Sequence, residues 1–127
     1  MTPPKSLAPR FEPLDPVPGA GKPSLDLLAQ TPEDSLWLAN FTSDKTRETY
    51  RQAILQFIKA AGLRERSDFQ RVSRAAVIAW RDQLMAEGRS RRTVKNRLSA
   101  LSSLFDHLTA HGVVEKNVVK EVDRPKL

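Results

Sequence analysis

Apolar residues recur at every third or fourth position in three long stretches of this 127-residue chain, and a glycine closes each stretch. This spacing puts the apolar side chains on one face of an α-helix, and glycine readily takes the left-handed conformation just past a helix end. The spacing therefore predicts three long helices. Their apolar faces are Tyr50, Ile54, Phe57, Ile58 and Ala61 before Gly62, then Val77, Trp80, Leu84 and Met85 before Gly88, then Val94, Leu98, Leu101, Leu104, Phe105 and Leu108 before Gly112.

Residues that favour helix starts precede these stretches. Thr31, followed by Pro32 and two acids, predicts a shorter first helix that carries Leu36, Trp37 and Leu38 and ends near Phe41. The three longer helices are predicted to start at Ser43 or Asp44, at Ser73 and at Ser90. No alternating strand pattern of useful length is present. We therefore expect an all-α fold, a compact four- to five-helix bundle around one shared core.

Proline divides the chain into three parts. Seven of the nine prolines lie before residue 24, and proline fixes φ and removes a hydrogen-bond donor, so residues 1–30 are predicted to be a disordered or extended tail. Leu25, Leu27 and Leu28 are the points where this tail begins to dock on the domain. Residues 31–120 are predicted to form the helical domain, and the polar stretch 121–127 a linker.

Positive charge is concentrated at the start of the last predicted helix. The net charge of +6 favours polyanionic partners such as DNA, RNA or an anionic membrane surface. Five cations fall within nine residues there: Arg89, Arg91, Arg92, Lys95 and Arg97. Each cation raises the free energy of the helix by up to about 1 kcal/mol, because the helix dipole places partial positive charge at the same end. No acid lies between residues 88 and 105 to offset this repulsion. A bound phosphate would turn these repulsions into attractions, so the cluster favours a phosphate-binding site. The alternative interpretation is a solvated basic face without a ligand.

The first of the three long helices carries a weaker polar and basic patch at its start. Its members are Lys45, Thr46, Arg47, Thr49 and Arg51. Asp44 and Glu48 lie among them, so internal salt bridges are an alternative interpretation. Asn96, one turn beyond Arg92 and Thr93, is the candidate for reading a base edge, because asparagine pairs with adenine in the major groove. A plain solvated amide is the alternative at that position.

Two segments resemble a known family. Residues 43–50 with Leu55 and Phe57 resemble the second helix of the core-binding domain in tyrosine recombinases, the phage-integrase family. Residues 88–101, continuing through Leu104 and Phe105 to Gly112, resemble its fourth helix. Asn117-Val118-Val119 stands where the family usually has an Asn-Pro step, and Pro125-Lys126 resembles the linker into the catalytic domain. The resemblance covers about residues 31–127 and implies the SAM-like core-binding fold of integrases.

The resemblance also implies a function. The domain clamps one face of a recombination site, with the second and fourth helices crossing the major groove. Its partners are then double-stranded DNA and other recombinase protomers. Carried over by position, the DNA-binding residues are Lys45, Thr46, Thr49, Arg91, Arg92, Thr93, Lys95 and Asn96. Family members cleave DNA with a tyrosine in a C-terminal domain, whereas Tyr50, the one tyrosine here, is predicted to lie in the core. We therefore expect this chain to be no enzyme.

Other chemistry has little support in the sequence. There are no cysteines, and the stretch Gly19-Ala20-Gly21-Lys22 fails as a phosphate loop because its flanking positions are prolines. His107 and His111 share a helix face without an evident third ligand, so we expect no metal site. We also expect no cofactor and no small-molecule ligand. Trp37 and Trp80 are predicted core aromatics.

The sequence also bears on location and on rival functions. No apolar run is long enough to span a membrane and no signal-peptide core is present, so a cytoplasmic protein of bacterial, phage or mobile-element origin is expected. Two rival functions remain open. One is a helical protein-interaction module whose basic patch binds an acidic partner. The other is a helix-turn-helix regulator, which is weakened because the helix predicted to start at Ser73 carries no basic recognition surface before a tight turn.

Overall fold

The computed structural model describes residues 24–40 and 44–125, and at Asp44 the backbone alone. All regular elements in these ranges are helical, which confirms the all-α prediction. The α-helices are α1 (Asp26–Ala29), α2 (Pro32–Ala39), α3 (Asp44–Ala61), α4 (Arg74–Ala86) and α5 (Arg91–Ala110), and two 3-10 helices span Arg66–Arg71 and Val118–Glu121.

Serine caps start the two helices that follow short connections. The hydroxyl oxygens of Ser73 and Ser90 accept hydrogen bonds from the backbone N–H groups of Ala76 and Thr93, each at 3.1 Å. Each bond satisfies one of the donors that a helix start leaves unpaired. Thr31 takes the extended conformation of a capping residue before α2, although its hydroxyl makes no capping bond.

Glycine ends the three long helices as the sequence predicts. Gly62, Gly88 and Gly112 have φ angles of 72°, 82° and 73°, in the left-handed region that side chains disfavour. After α3, the N–H of Leu63 donates to the carbonyl oxygen of Ile58 at 3.0 Å, which closes a Schellman motif. The same pattern follows α4 and α5, so each chain reversal is set by local sequence.

Helix α5 is the central element of the bundle. It packs against α3, α4 and the second 3-10 helix. In the core, the Phe57 and Trp80 rings meet edge to face at 5.0 Å, and Phe69 meets Phe105 in the same way at 5.8 Å. Such pairs add about 0.5–1.5 kcal/mol to the burial of their area. The core therefore joins residues from α3, α4, α5 and the first 3-10 helix.

Three predicted core positions differ in the structure. Met85 lies at the edge of the α4 face with 38% of its surface exposed, so its assignment to the buried face was wrong. Tyr50 is half-buried rather than enclosed, because it falls at the N-terminal end of the α3 stripe where the bundle opens. Trp37 is also half-buried and stacks on His107 with ring centroids 5.6 Å apart, whereas Trp80 is buried as expected.

The domain boundaries also differ from the predicted ones. Helix α1 lies inside the predicted tail, and its Leu27 and Leu28 are buried in the core. Val122, placed in the predicted linker, is buried, and Arg81 Nη1 donates to the carbonyl oxygen of Asp123 at 2.8 Å. Residues 24–30 and 121–123 therefore pack with the bundle. Helix α2 ends at Ala39, two residues before its predicted end near Phe41. Phe41 itself, the rest of the tail and the last two residues lie outside the described ranges.

A buried ionic network joins three separate elements. The carboxylate of Asp34 on α2 is fully buried and accepts two hydrogen bonds from Arg66, at 2.8 and 3.1 Å. His107 Nε2 on α5 lies 2.6 Å from Asp34 Oδ1, the oxygen that also accepts from Arg66 Nη2. Because a buried charge without partners is costly, these bonds fix α2 and the first 3-10 helix against α5.

Candidate nucleic-acid interface

The first turn of α5 is basic and exposed, as the sequence predicts. Arg91, Arg92 and Lys95 are exposed, and no acid lies in this turn. The Ser90 hydroxyl caps the turn and also donates to Thr93 Oγ1 at 2.9 Å. The turn thus presents positive charge where the helix dipole already disfavours it, which suits an anionic ligand.

A cleft of about 350 Å³ lies between α3 and α5. Four of the predicted site residues line it, three from α3 and one from α5. The full lining is Lys45, Thr46, Thr49, Tyr50, Asn96 and Ser99. The packing of α3 on α5 thus brings the two predicted patches together, although Thr49 and Asn96 are 47 positions apart in the chain.

A second cleft of about 280 Å³ continues along the same pair of helices. Thr49 and Asn96 line both clefts, and Thr93 joins them in the second. The full lining is Glu48, Thr49, Gln52, Ala53, Thr93, Asn96 and Arg97. We call the two clefts together the α3–α5 groove. Its floor carries hydroxyl and amide groups, which can both donate and accept hydrogen bonds.

The remaining predicted site residues lie outside the groove. Arg92 and Lys95 are exposed on α5 and line neither cleft. Arg91 lies on the other flank of α5, where it lines a separate cavity with Arg81 and Arg124. The structure therefore gathers five of the eight predicted residues in the groove, with Arg92 and Lys95 as an exposed charged rim and Arg91 apart from it.

The acid in the groove is held by a neighbouring amide. Glu48 Oε1 accepts a hydrogen bond from Gln52 Nε2 at 2.9 Å, one turn along α3. Among the ion pairs that the structure describes, none involves Glu48 or Lys45. The salt bridges considered as an alternative for this patch are therefore not formed by these two residues.

Residues 33–112 match the family model of the phage integrase N-terminal SAM-like domain. The chain belongs to this family. The finding confirms the resemblance seen in the sequence, and the whole α3–α5 groove lies inside the matched range.

A curated relative agrees with the family match. The chain is 30% identical over 100 residues to tyrosine recombinase XerD of Pseudomonas aeruginosa, an alignment that covers 74% of this chain. The chain spans 31% of the length of that relative. No solved structure matches the chain significantly.

Within this integrase-type domain, sequence reasoning missed several residues of the groove. Ser99 lies one turn beyond Asn96 on the same face, and helical spacing would have found it. Tyr50 was placed in the core, although it follows Thr49 directly and lines the groove. Gln52 lines it as well, and so does Arg97, which the sequence placed in the basic cluster but not among the DNA-binding residues. The position of Gln52 and Arg97 in the groove follows only from the packing of α3 on α5.

Burial and a neighbouring cation both act on the guanidinium of Arg97. Burial lowers the pKa of its guanidinium below the ordinary value, the nearby charge of Arg89 lowers it further, and Glu87 opposes the shift. Both lowering effects disfavour the charged form. The domain therefore holds a half-buried cation next to another cation.

His107 and His111 lie next to each other at the C-terminal end of α5. His107 is committed to Asp34, and its ring lies 4.5 Å from that of His111, centroid to centroid. In the described ranges, no three histidine, cysteine or acidic side chains gather as a metal site would require.

No helix among the described residues is long and apolar enough to cross a membrane.

Proposed function

We propose that this chain binds duplex DNA sequence-specifically, as the N-terminal core-binding domain of a site-specific tyrosine recombinase that acts in DNA integration and recombination. The observation that carries the proposal is the α3–α5 groove, in which Lys45, Thr46 and Thr49 of one helix line the same cleft as Asn96 of the other. The family of the chain supports the same conclusion.

The groove and its rim suit the two parts of a DNA duplex. Arg92 and Lys95 are exposed beside the groove, where long cationic side chains reach backbone phosphates. The amide of Asn96 and the hydroxyl of Thr49 lie between the helices, where they can meet base edges. A B-DNA major groove is wide enough to admit a helix. Phosphate contacts then position the domain, and the groove residues read the sequence.

Strand cleavage is assigned to a part of the recombinase other than this chain. Tyr50 is its single tyrosine and lies half-buried against Thr46 and Thr49. A tyrosine nucleophile needs cationic groups arranged around the scissile phosphate, and the residues lining this cleft include one cation, Lys45. The partners we propose are therefore the recombination site and other protomers bound to it.

A mobility-shift titration against salt tests the proposal. Binding through five to eight phosphates gives a slope of log K against log salt concentration of about −5 to −7, because each neutralised phosphate releases counterions. Absence of binding to any duplex at low salt would contradict the proposal. Binding of an acidic protein in place of DNA would support the protein-interaction alternative.

Charge reversal at Arg92 tests the site itself. Arg92→Glu is expected to weaken duplex binding at least tenfold, since it replaces an attraction to phosphate with a repulsion. Arg74→Glu is the matched control, because Arg74 is also exposed in the first turn of a helix, α4, away from the groove. Both variants should give the circular dichroism of the unaltered protein. Equal losses of affinity in the two would show that only net charge matters.

A further inference from the structure

Arg97 lies on the flank of α5 that faces α3. Its side chain is half-buried and lines the second cleft of the groove together with Thr93 and Asn96. Helical side chains lean towards the N-terminus of their helix, so the guanidinium is directed back to the basic first turn. Arg97 therefore stands next to the amide proposed to read bases.

The fold does not neutralise this guanidinium. No hydrogen bond or ion pair of Arg97 occurs among the residues that the structure describes. Glu48, which lines the same cleft, is engaged by Gln52. Arg89 adds a second positive charge nearby, and Glu87 offsets it only in part. A desolvated cation next to a like charge raises the free energy of the isolated domain.

We propose that Arg97 holds one backbone phosphate of the bound duplex on the α3-facing side of α5 and so positions Asn96 at the base edges. The proposal rests on the proposed function and adds a positioning residue to it. A guanidinium binds phosphate through two parallel hydrogen bonds, which fix direction as well as distance. Because Arg97 and Asn96 are neighbours on one cleft, fixing the phosphate also fixes the register of the amide.

The test compares Arg97→Met and Arg97→Lys with Arg92→Gln. The probes are a duplex selected by the unaltered protein from a randomised pool and a scrambled duplex of equal length. Arg97→Met is expected to reduce affinity for the selected duplex about tenfold and to reduce the magnitude of the salt slope by about one. It should also lose most of the preference for the selected over the scrambled duplex.

The other two variants separate charge from geometry. Arg97→Lys keeps the charge but not the planar fork, so the salt slope should be retained while part of the sequence preference is lost. Arg92→Gln removes a phosphate contact on the rim, so affinity should fall equally for both duplexes. Equal falls for both duplexes with Arg97→Met as well would overturn the positioning role.

A stability measurement distinguishes this role from a structural one. Because methionine keeps the apolar stem and removes the uncompensated charge, Arg97→Met should leave the melting temperature of the free protein unchanged or raise it. A fall in melting temperature would show that Arg97 serves the fold. If the unaltered protein binds no duplex, the proposed function fails with this inference. If it binds and Arg97→Met binds identically, only this inference fails.

Discussion

Asn117 connects the C-terminal part of the domain to α5 through one amide group. Its Nδ2 donates to the carbonyl oxygen of Ser102 at 2.8 Å and to Asp106 Oδ1 at 3.1 Å. Its Oδ1 accepts the N–H of Val119 at 3.0 Å, which starts the second 3-10 helix. The sequence marked Asn117 as a family position but could not show these bonds, because Ser102 and Asp106 lie on the preceding helix.

The pKa of Asp106 reports on the hydrogen bonds that join the C-terminal segment to α5. Hydrogen bonds from Lys120 and then from Asn117 lower the pKa of the Asp106 carboxyl, since both favour its charged form. The stabilisation is present above the unfolded pKa of about 3.9 and is lost as the pH falls through the lower, folded pKa. We expect Lys120→Ala to raise the pKa of Asp106 most and Asn117→Ala to raise it less, as measured by NMR titration of the side-chain carboxyl carbon.

Lys116 supplies the control for this titration. Its Nζ pairs with Glu121 Oε1 at 3.2 Å and not with Asp106. Lys116→Ala should therefore leave the pKa of Asp106 in place. A comparable rise with all three variants would show that the general positive field of this segment, rather than specific hydrogen bonds, lowers the pKa.

At the scale of helices, the sequence predicted those helix starts and ends that are determined by residues close together in the chain. The starts of α4 and α5 depend on a serine within three residues of the N–H that it caps, and the ends depend on one glycine each. The 3-10 helix Arg66–Arg71 escaped prediction because its six residues carry one buried aromatic, Phe69, and so show no periodicity. Helix α1 escaped for the same reason, since four residues give no repeat.

The caps of α4 and α5 offer a matched test of the DNA-facing end. Ser90→Asp keeps a capping oxygen and adds a negative charge where the helix dipole and Arg92 favour it, so the free energy of unfolding should rise by about 0.3–1 kcal/mol. The same carboxylate occupies the place proposed for a phosphate, so duplex affinity should fall. Urea unfolding and a mobility-shift titration measure the two effects.

Ser73→Asp is the control for the cap of α5. It makes the equivalent change at the start of α4, next to Arg74 and outside the proposed interface. Stability should rise as in Ser90→Asp, while duplex affinity should stay close to that of the unaltered protein. The assignment of the α5 end to DNA would be wrong if Ser90→Asp bound duplex as tightly as Ser73→Asp.

At the scale of the whole molecule, the sequence predicted the helices but not how their polar residues meet. Both patches that form the groove were visible as residues, whereas the cleft between them exists only through the packing of α3 on α5. The ionic network is a stronger case, because Asp34 reaches Arg66 across 32 positions and His107 across 73. Neither periodicity nor local spacing reports such distant polar contacts.

Removing the Asp34 carboxylate tests whether this network holds the whole bundle together. Asp34→Ala leaves Arg66 and His107 without their acceptor in the interior, and loss of one partner from a buried ionic group costs about 3–5 kcal/mol. The free energy of unfolding in urea should fall by that amount. Asp82→Ala, which breaks the pair with Arg81 Nε near the surface, should cost at most about 1 kcal/mol.

The same variant also separates stability from binding. His107 lies eleven residues beyond Asn96, about 16 Å further along the α5 axis, so the network does not touch the groove. At a temperature where Asp34→Ala remains folded, its duplex affinity should therefore equal that of the unaltered protein. A loss of affinity in the folded variant would mean that α2 contributes to the DNA-binding surface or holds α5 in its binding position. The interface would then extend over the bundle instead of lying between α3 and α5.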